Sequence, residues 1–180
     1  MQTLQYETDD HLHWVQPKAL GRTYELRSST NQYASLRFEK ELGTLATAET
    51  AGQRWTFKRV GFLNPRVTAR REHESSDTAV YTPRMFGGGI LQFNDGRTFH
   101  WRSINFWSTQ WSFVDSTDRS IVTFKPGSEE FRWADLLKSQ CVVEFDRNAA
   151  GQEFFPFLLT LGWYLLLLQQ SDAAVVAATT

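Results

Sequence analysis

Residues 154–168 carry no charge and read Phe-Phe-Pro-Phe-Leu-Leu-Thr-Leu-Gly-Trp-Tyr-Leu-Leu-Leu-Leu, interrupted only by Pro156, Thr160 and Gly162. Leucine favours helix, Pro156 suits a first turn where its missing N–H is no loss, and Gln169-Gln170-Ser171-Asp172 makes a polar exit. The stretch predicts a helix over about 153–170. A helix on a protein surface keeps a polar stripe, whereas residues 157–168 are apolar in every direction around the axis. Such a helix has to be enclosed. Lipid is one enclosure, but at about 1.5 Å per residue the run spans only about 22 Å against a hydrocarbon core of about 30 Å. No Lys or Arg immediately flanks it, so no transmembrane span is expected. Protein is the other enclosure, and the rest of the chain must supply it. Residues 173–180 read as a frayed tail or a short closing strand.

The rest of the chain reads as β. Aromatic residues make up 14% of the composition, and most sit where apolar and polar residues alternate, the period-two pattern of a half-buried strand. In Arg54-Trp55-Thr56-Phe57-Lys58, Trp55 and Phe57 point one way and the polar residues the other. Thr98-Phe99-His100-Trp101-Arg102 and Gln110-Trp111-Ser112-Phe113 repeat the device, and weaker versions occur at 24–27, 33–38, 66–70, 78–82, 90–93, 120–125 and 142–145. Asn94-Asp95-Gly96 supplies a tight hairpin, and Asn64-Pro65, Asp115-Ser116-Thr117-Asp118 and Pro126-Gly127 mark other reversals. The spacing is that of an antiparallel meander. About twelve strands, about 4.7 Å apart and tilted about 40°, close into a barrel of about 12 Å backbone radius, wide enough for one helix of about 10 Å. The expected fold is therefore mainly β, an about twelve-stranded closed antiparallel barrel around a central hydrophobic C-terminal α-helix. Its core is Trp55, Phe57, Phe99, Trp101, Trp111 and Phe113 on the wall, meeting Leu161, Trp163 and Leu165 on the helix. One domain covers 1–180: the barrel about 10–150, the helix about 153–170 and the tail 173–180.

Three features carry a resemblance: the Trp-x-Phe strands at Trp55 and Trp111, the Asn94-Asp95-Gly96-Arg97 hairpin leading to Trp101, and the run from Phe157 through Gly162-Trp163-Tyr164 to Leu165. Over about 20–172 the chain resembles the tubby C-terminal-like superfamily, which includes LURP-one-related proteins and phospholipid scramblases. The resemblance implies a twelve-stranded barrel wrapped around one hydrophobic helix, and it makes a lipid phosphate the first candidate ligand, because tubby domains recognise phosphoinositide headgroups through basic residues. These motifs are packing signatures, so they speak to fold more than to activity. The proline-rich N-terminus, cysteine cluster and calcium-binding segment of scramblases are not matched here.

Net charge is only −1, so no global excess points to nucleic acid, and any electrostatic partner has to be read locally. Residues 51–71 contain Arg54, Lys58, Arg59, Arg66, Arg70 and Arg71 and no acid. With Trp55, Phe57, Val67 and Ala69 inward, Arg54, Lys58, Arg66 and Arg70 share an outer facet. Like charges on neighbouring strand positions repel, so the cluster suits an anion, and arginine suits phosphate through paired hydrogen bonds. The plainer reading is that Glu39, Glu41, Glu49, Glu72 or Glu74 neutralise it.

Other candidates are weaker. His11-x-His13, with His73 and His100, evokes a metal site but lacks the nearby glutamate of a cupin barrel. Cys141, the single cysteine, lies in an apparent strand and reads as a wall residue, which also favours a reduced cytoplasmic setting, membrane-peripheral if lipid is the ligand. Gly87-Gly88-Gly89 lacks the Lys-Ser/Thr of a phosphate loop and reads as a bend. Asp9-Asp10 and Glu129-Glu130 have no partner for acid–base work, and Arg132-Trp133 is weak evidence for nucleic-acid stacking. No nucleophile, base and orienting group assemble, and no cofactor or metal is expected. The reading is a non-enzymatic binding module engaging an anionic phospholipid or an acidic protein. Its alternatives are a hollow calycin- or cupin-like barrel carrying a ligand or metal, and a scramblase-like protein whose C-terminal helix enters the membrane.

Overall fold

The computed structural model describes residues 12–40, 43–50, 52–85, 87–127 and 139–179. Twelve strands follow in order: β1 (Leu12–Val15), β2 (Thr23–Arg27), β3 (Gln32–Phe38), β4 (Ala46–Thr50), β5 (Gln53–Val60), β6 (Arg66–Arg71), β7 (Ala79–Pro83), β8 (Gly89–Phe93), β9 (Thr98–Ser103), β10 (Trp111–Val114), β11 (Ser120–Pro126) and β12 (Cys141–Phe145). A one-turn helix, α1 (Arg147–Ala150), capped by the Asp146 carboxylate, leads into α2 (Phe155–Thr179). Each strand pairs antiparallel with the next, and β1 pairs with β12, Leu12 opposite Val143 and Trp14 opposite Cys141, so the meander closes on itself.

Period-two patterning sets which side chains enter the barrel. On β5 Trp55 and Phe57 are buried between exposed Arg54, Thr56 and Lys58, and on β6 Val67 and Ala69 are buried between exposed Arg66 and Arg70. β4 has no large apolar residue to announce it. Its inward Ala46 and Ala48 lie opposite Phe57 and Trp55 and leave those rings room.

Helix α2 occupies the lumen. Every residue from Phe157 to Leu168 is buried, on all sides of the axis. Its rings meet the wall all the way round: Trp163 stacks on Trp14 of β1 at 6.0 Å and meets Tyr24 of β2 edge-on. Tyr164 stacks on Phe38 of β3, while Phe157 meets Trp55 and Phe57 of β5 and Phe93 of β8. On another side Gly162 lies against Phe124 of β11, where a Cβ would come within 2.3 Å of the ring. Large apolar side chains stabilise by about 1.5–3 kcal/mol each when fully buried, so this helix is the core the sheet folds around.

Two sequence expectations change. Residues 173–179 are neither a frayed tail nor a strand but continue α2, exposed, beyond the barrel. Alanine-rich Ala173-Ala174-Val175-Val176-Ala177-Ala178 propagates a helix already nucleated inside the wall. Trp111 is half-buried at the barrel's edge, stacked on fully buried Trp101 at 5.6 Å, with its indole N–H donating to the Ser108 carbonyl.

Because the strands run alternately up and down, connections alternate between two mouths. The lower mouth, where α2 begins, carries the connections at 28–31, 72–78, 94–97, 115–119 and 146–154. The upper mouth, where α2 leaves, carries those at 16–22, 39–45, 61–65, 84–88 and 104–110.

Candidate functional site

The six cations of residues 51–71 divide between these mouths. In the lower half, Arg54 donates through Nε to Glu49 Oε1 at 2.6 Å and through Nη1 to Glu72 Oε1 at 3.0 Å. Those two bonds, Glu49's the stronger, raise the arginine's pKa further. Arg70 donates through Nη2 to Asp77 Oδ1 at 3.0 Å, and Arg71 to Glu153 Oε1 at 3.1 Å, just ahead of α2. The neutralising partners foreseen from sequence are there for Arg54, whereas Asp77 and Glu153 come from segments that a strand-by-strand reading does not place beside these arginines.

The upper half differs. Arg59, in phase with the inward residues of β5, reaches Asp172 Oδ2 on α2 at 2.6 Å. Lys58 and Arg66 are exposed and make no ion pair or side-chain hydrogen bond among the described residues. A cleft of about 220 Å³ opens here between the 61–65 and 84–88 turns and α2. Val67, Tyr81, Leu165 and Leu168 line it with apolar surface, and Arg59, Arg66 and Arg84 bring three guanidiniums against the one carboxylate of Asp172. Burial raises the Tyr81 phenol, which remains a neutral O–H donor. Arg84 likewise lacks an ion-pair partner among the described residues. Sequence reading missed it because it stands alone after Pro83; the usable signal is that in a meander the β7–β8 turn comes to the same mouth as the β5–β6 turn.

Three guanidiniums against one carboxylate give this cleft the charge to attract an anion. Binding sites for drug-sized molecules enclose about 300–1,000 Å³, so about 220 Å³ fits a phosphate-sized headgroup and a short apolar stub. A second cleft, about 180 Å³, sits at the lower mouth, but its Arg71 and Arg97 are taken by Glu153 and Asp95.

The remaining candidates come apart. His13 on β1, His100 on β9 and exposed His73 sit on separate strands or turns, and no group of three His, Cys, Asp or Glu side chains able to hold a metal occurs among the described residues. Cys141 is a buried residue of β12, and desolvation pushes its thiol pKa up, away from nucleophilic reactivity. Gly87 and Gly88 take positive φ in the β7–β8 turn and Gly89 opens β8, so the triplet is the bend it was read as. Asp9, Asp10, His11, Glu41, Glu129, Glu130, Arg132 and Trp133 lie outside the described residues. The hollow alternative needs a vacant lumen and an external helix, and α2 fills that lumen. Among the described residues no helix is long and apolar enough to cross a membrane.

The fold defines a class, a closed up-and-down barrel with an occupied lumen, and the candidate site lies at one mouth. Against known proteins, the chain matches no family model, no curated protein and no solved structure.

Proposed function

We propose that this protein is a non-enzymatic binding module that recognises the phosphate of an anionic phospholipid headgroup at the upper mouth. The observation that carries the reading is the cleft in which Arg66 and Arg84 flank an apolar lining and pair with no carboxylate among the described residues. Arginine matches phosphate bidentately, and a cluster of guanidiniums beside apolar surface suits a ligand that is charged at one end and apolar at the other. The filled lumen leaves no reaction chamber, which supports binding rather than turnover. A barrel wrapped around one helix is also what the resemblance to the tubby C-terminal-like superfamily implies, and membership of that superfamily is part of the proposal.

Co-sedimentation with vesicles tests it. At low salt the protein is expected to pellet with phosphatidylcholine vesicles containing phosphatidylserine or a phosphoinositide and to stay in solution with pure phosphatidylcholine. Arg66→Glu with Arg84→Glu should abolish pelleting, while Arg70→Gln should leave it unchanged. Absence of pelleting with every anionic vesicle, or pelleting indifferent to the double reversal, refutes the reading.

A further inference from the structure

Large apolar side chains exposed to water are distributed very unevenly over this barrel. Among the described residues, Leu20, Phe62, Leu63, Met85, Phe106 and Trp107 are all at least 79% exposed, and all six lie on upper-mouth connections. Every other exposed large hydrophobic residue among the described ones belongs to an upper-mouth connection or to the part of α2 that emerges there. The lower-mouth connections, by contrast, are mostly polar and charged, Arg97, Arg119 and Arg147 included, with no exposed large apolar residue among the described ones.

The presentation is built rather than slack. In the 104–110 connection the Asn105 side chain accepts from the Thr109 and Gln110 amides at 2.9 and 3.0 Å and donates to the Thr109 hydroxyl. Ser103 Oγ donates to the Asn105 carbonyl, and Ile104 N donates to the Gln110 carbonyl. This network fixes a loop whose Phe106 and Trp107 touch each other edge-on at 5.2 Å and little else. The 61–65 turn is equally set, by Gly61 at φ +87°, where a Cβ would meet the Asn64 carbonyl at 2.7 Å. Holding aromatic side chains in water by internal hydrogen bonds lowers the ordering cost of a later contact.

Charge follows the same division. Lys18, Lys40, Lys58, Arg66 and Arg84 are exposed on or beside upper-mouth connections and form no ion pair among the described residues. The described acids there, Glu39 and Asp172, are both engaged, by Arg37 with Thr47 and by Arg59. Most described acids sit at or near the lower mouth, among them Glu72, Asp77, Asp95, Asp115 and Glu153.

We infer that the upper rim is a membrane-insertion surface: its separate apolar fingertips enter the interfacial zone of an anionic bilayer while the free lysines and arginines meet lipid phosphates. The proposal rests on the headgroup-binding reading and extends it from one cleft to a whole face. Separate fingertips ringed by basic side chains, rather than one flat apolar patch, suit a fluid surface into which each tip sinks independently. A bilayer met in this way would bring headgroups to Arg66 and Arg84, because the cleft opens between the Phe62-Leu63 turn and the Met85 turn.

Site-specific fluorophores test it. Cys141 is buried, so a cysteine introduced by Phe62→Cys or Trp107→Cys takes a thiol-reactive, polarity-sensitive dye selectively, and Ser116→Cys gives a lower-mouth control. With vesicles of phosphatidylcholine and phosphatidylserine, dyes at 62 and 107 are expected to shift to the blue and be quenched by spin labels on the acyl chains, and the dye at 116 to do neither. Phe62→Ser with Trp107→Ser should weaken vesicle affinity at least tenfold with an unchanged melting curve. Dyes that stay in water on vesicle-bound protein overturn insertion and leave headgroup recognition standing. Loss of all vesicle binding overturns both. A blue shift that depends on protein concentration without vesicles, with dimers in sedimentation, makes the rim a self-association surface and overturns insertion.

Discussion

Tyr164 is apolar in its packing and polar at one atom: its ring lies between Phe38 and Phe57, and its hydroxyl donates to the Thr44 carbonyl at 2.5 Å. Burial raises the phenol's pKa, so in the folded barrel it stays neutral. The unfolded phenol ionises near pH 10, so the folded state keeps its full margin below that pH. As pH rises further the unfolded chain sheds protons that the folded one retains, and stability falls. Tyr81 adds in the same direction. Tyr164→Phe should cost about 1 kcal/mol at pH 7 through the lost hydrogen bond. It should also flatten the decline above pH 10, an outcome that urea unfolding at pH 7 and pH 10.5 would measure. Three other aromatic residues are less well provided for: the buried indole N–H groups of Trp14, Trp101 and Trp163 have no partner among the described residues, a cost the surrounding apolar burial offsets.

Among the elements, α2 decides the packing of all the others, and Gly162 is where it comes nearest the wall. Gly162→Ala would return about 1 kcal/mol of helix propensity, yet it drives a methyl into Phe124, an overpacking that costs about 1–3 kcal/mol or more. The expected result is net destabilisation in chemical unfolding, partly relieved when Phe124→Leu is added, since residues in contact couple. A single variant as stable as the parent would mean that the helix can slide away from the wall. Much of this element was legible beforehand, because a chargeless run with leucine on every side has few places to go. The strands were legible wherever Trp or Phe alternated with polar residues. β4 was faint because alanines mark its inner face, and the outer extension of α2 was hidden by the polar stretch 169–172, which reads as an end. The site was only half legible: the basic run was plain in the sequence, but which arginines are free depends on Asp77, Glu153 and Asp172, which topology alone brings to them.

At the scale of the whole molecule, the closed sheet has no free edge, which removes the usual template for strand addition. One seam, β1 against β12, holds that closure. Deleting residues 1–16 should therefore expose the edges of both β2 and β12 together with the aromatic face of α2, and light scattering should show aggregation where the full chain stays dispersed. Unchanged dispersity would mean the remaining strands reclose without β1. The same up-and-down path sorts the connections, since every second one comes to the same mouth. Neither the apolar tips nor the free cations look grouped along the chain, and only the strand count gathers them on one face.

The plug comes after the vessel in chain order. Synthesis proceeds from the N-terminus, so twelve strands lined with Trp, Phe and Tyr emerge before the segment they must wrap. The seam joins strands at opposite ends of the described chain, which makes closure a slow, non-local step. A nascent chain of this protein thus passes through an interval with its stickiest surface uncovered.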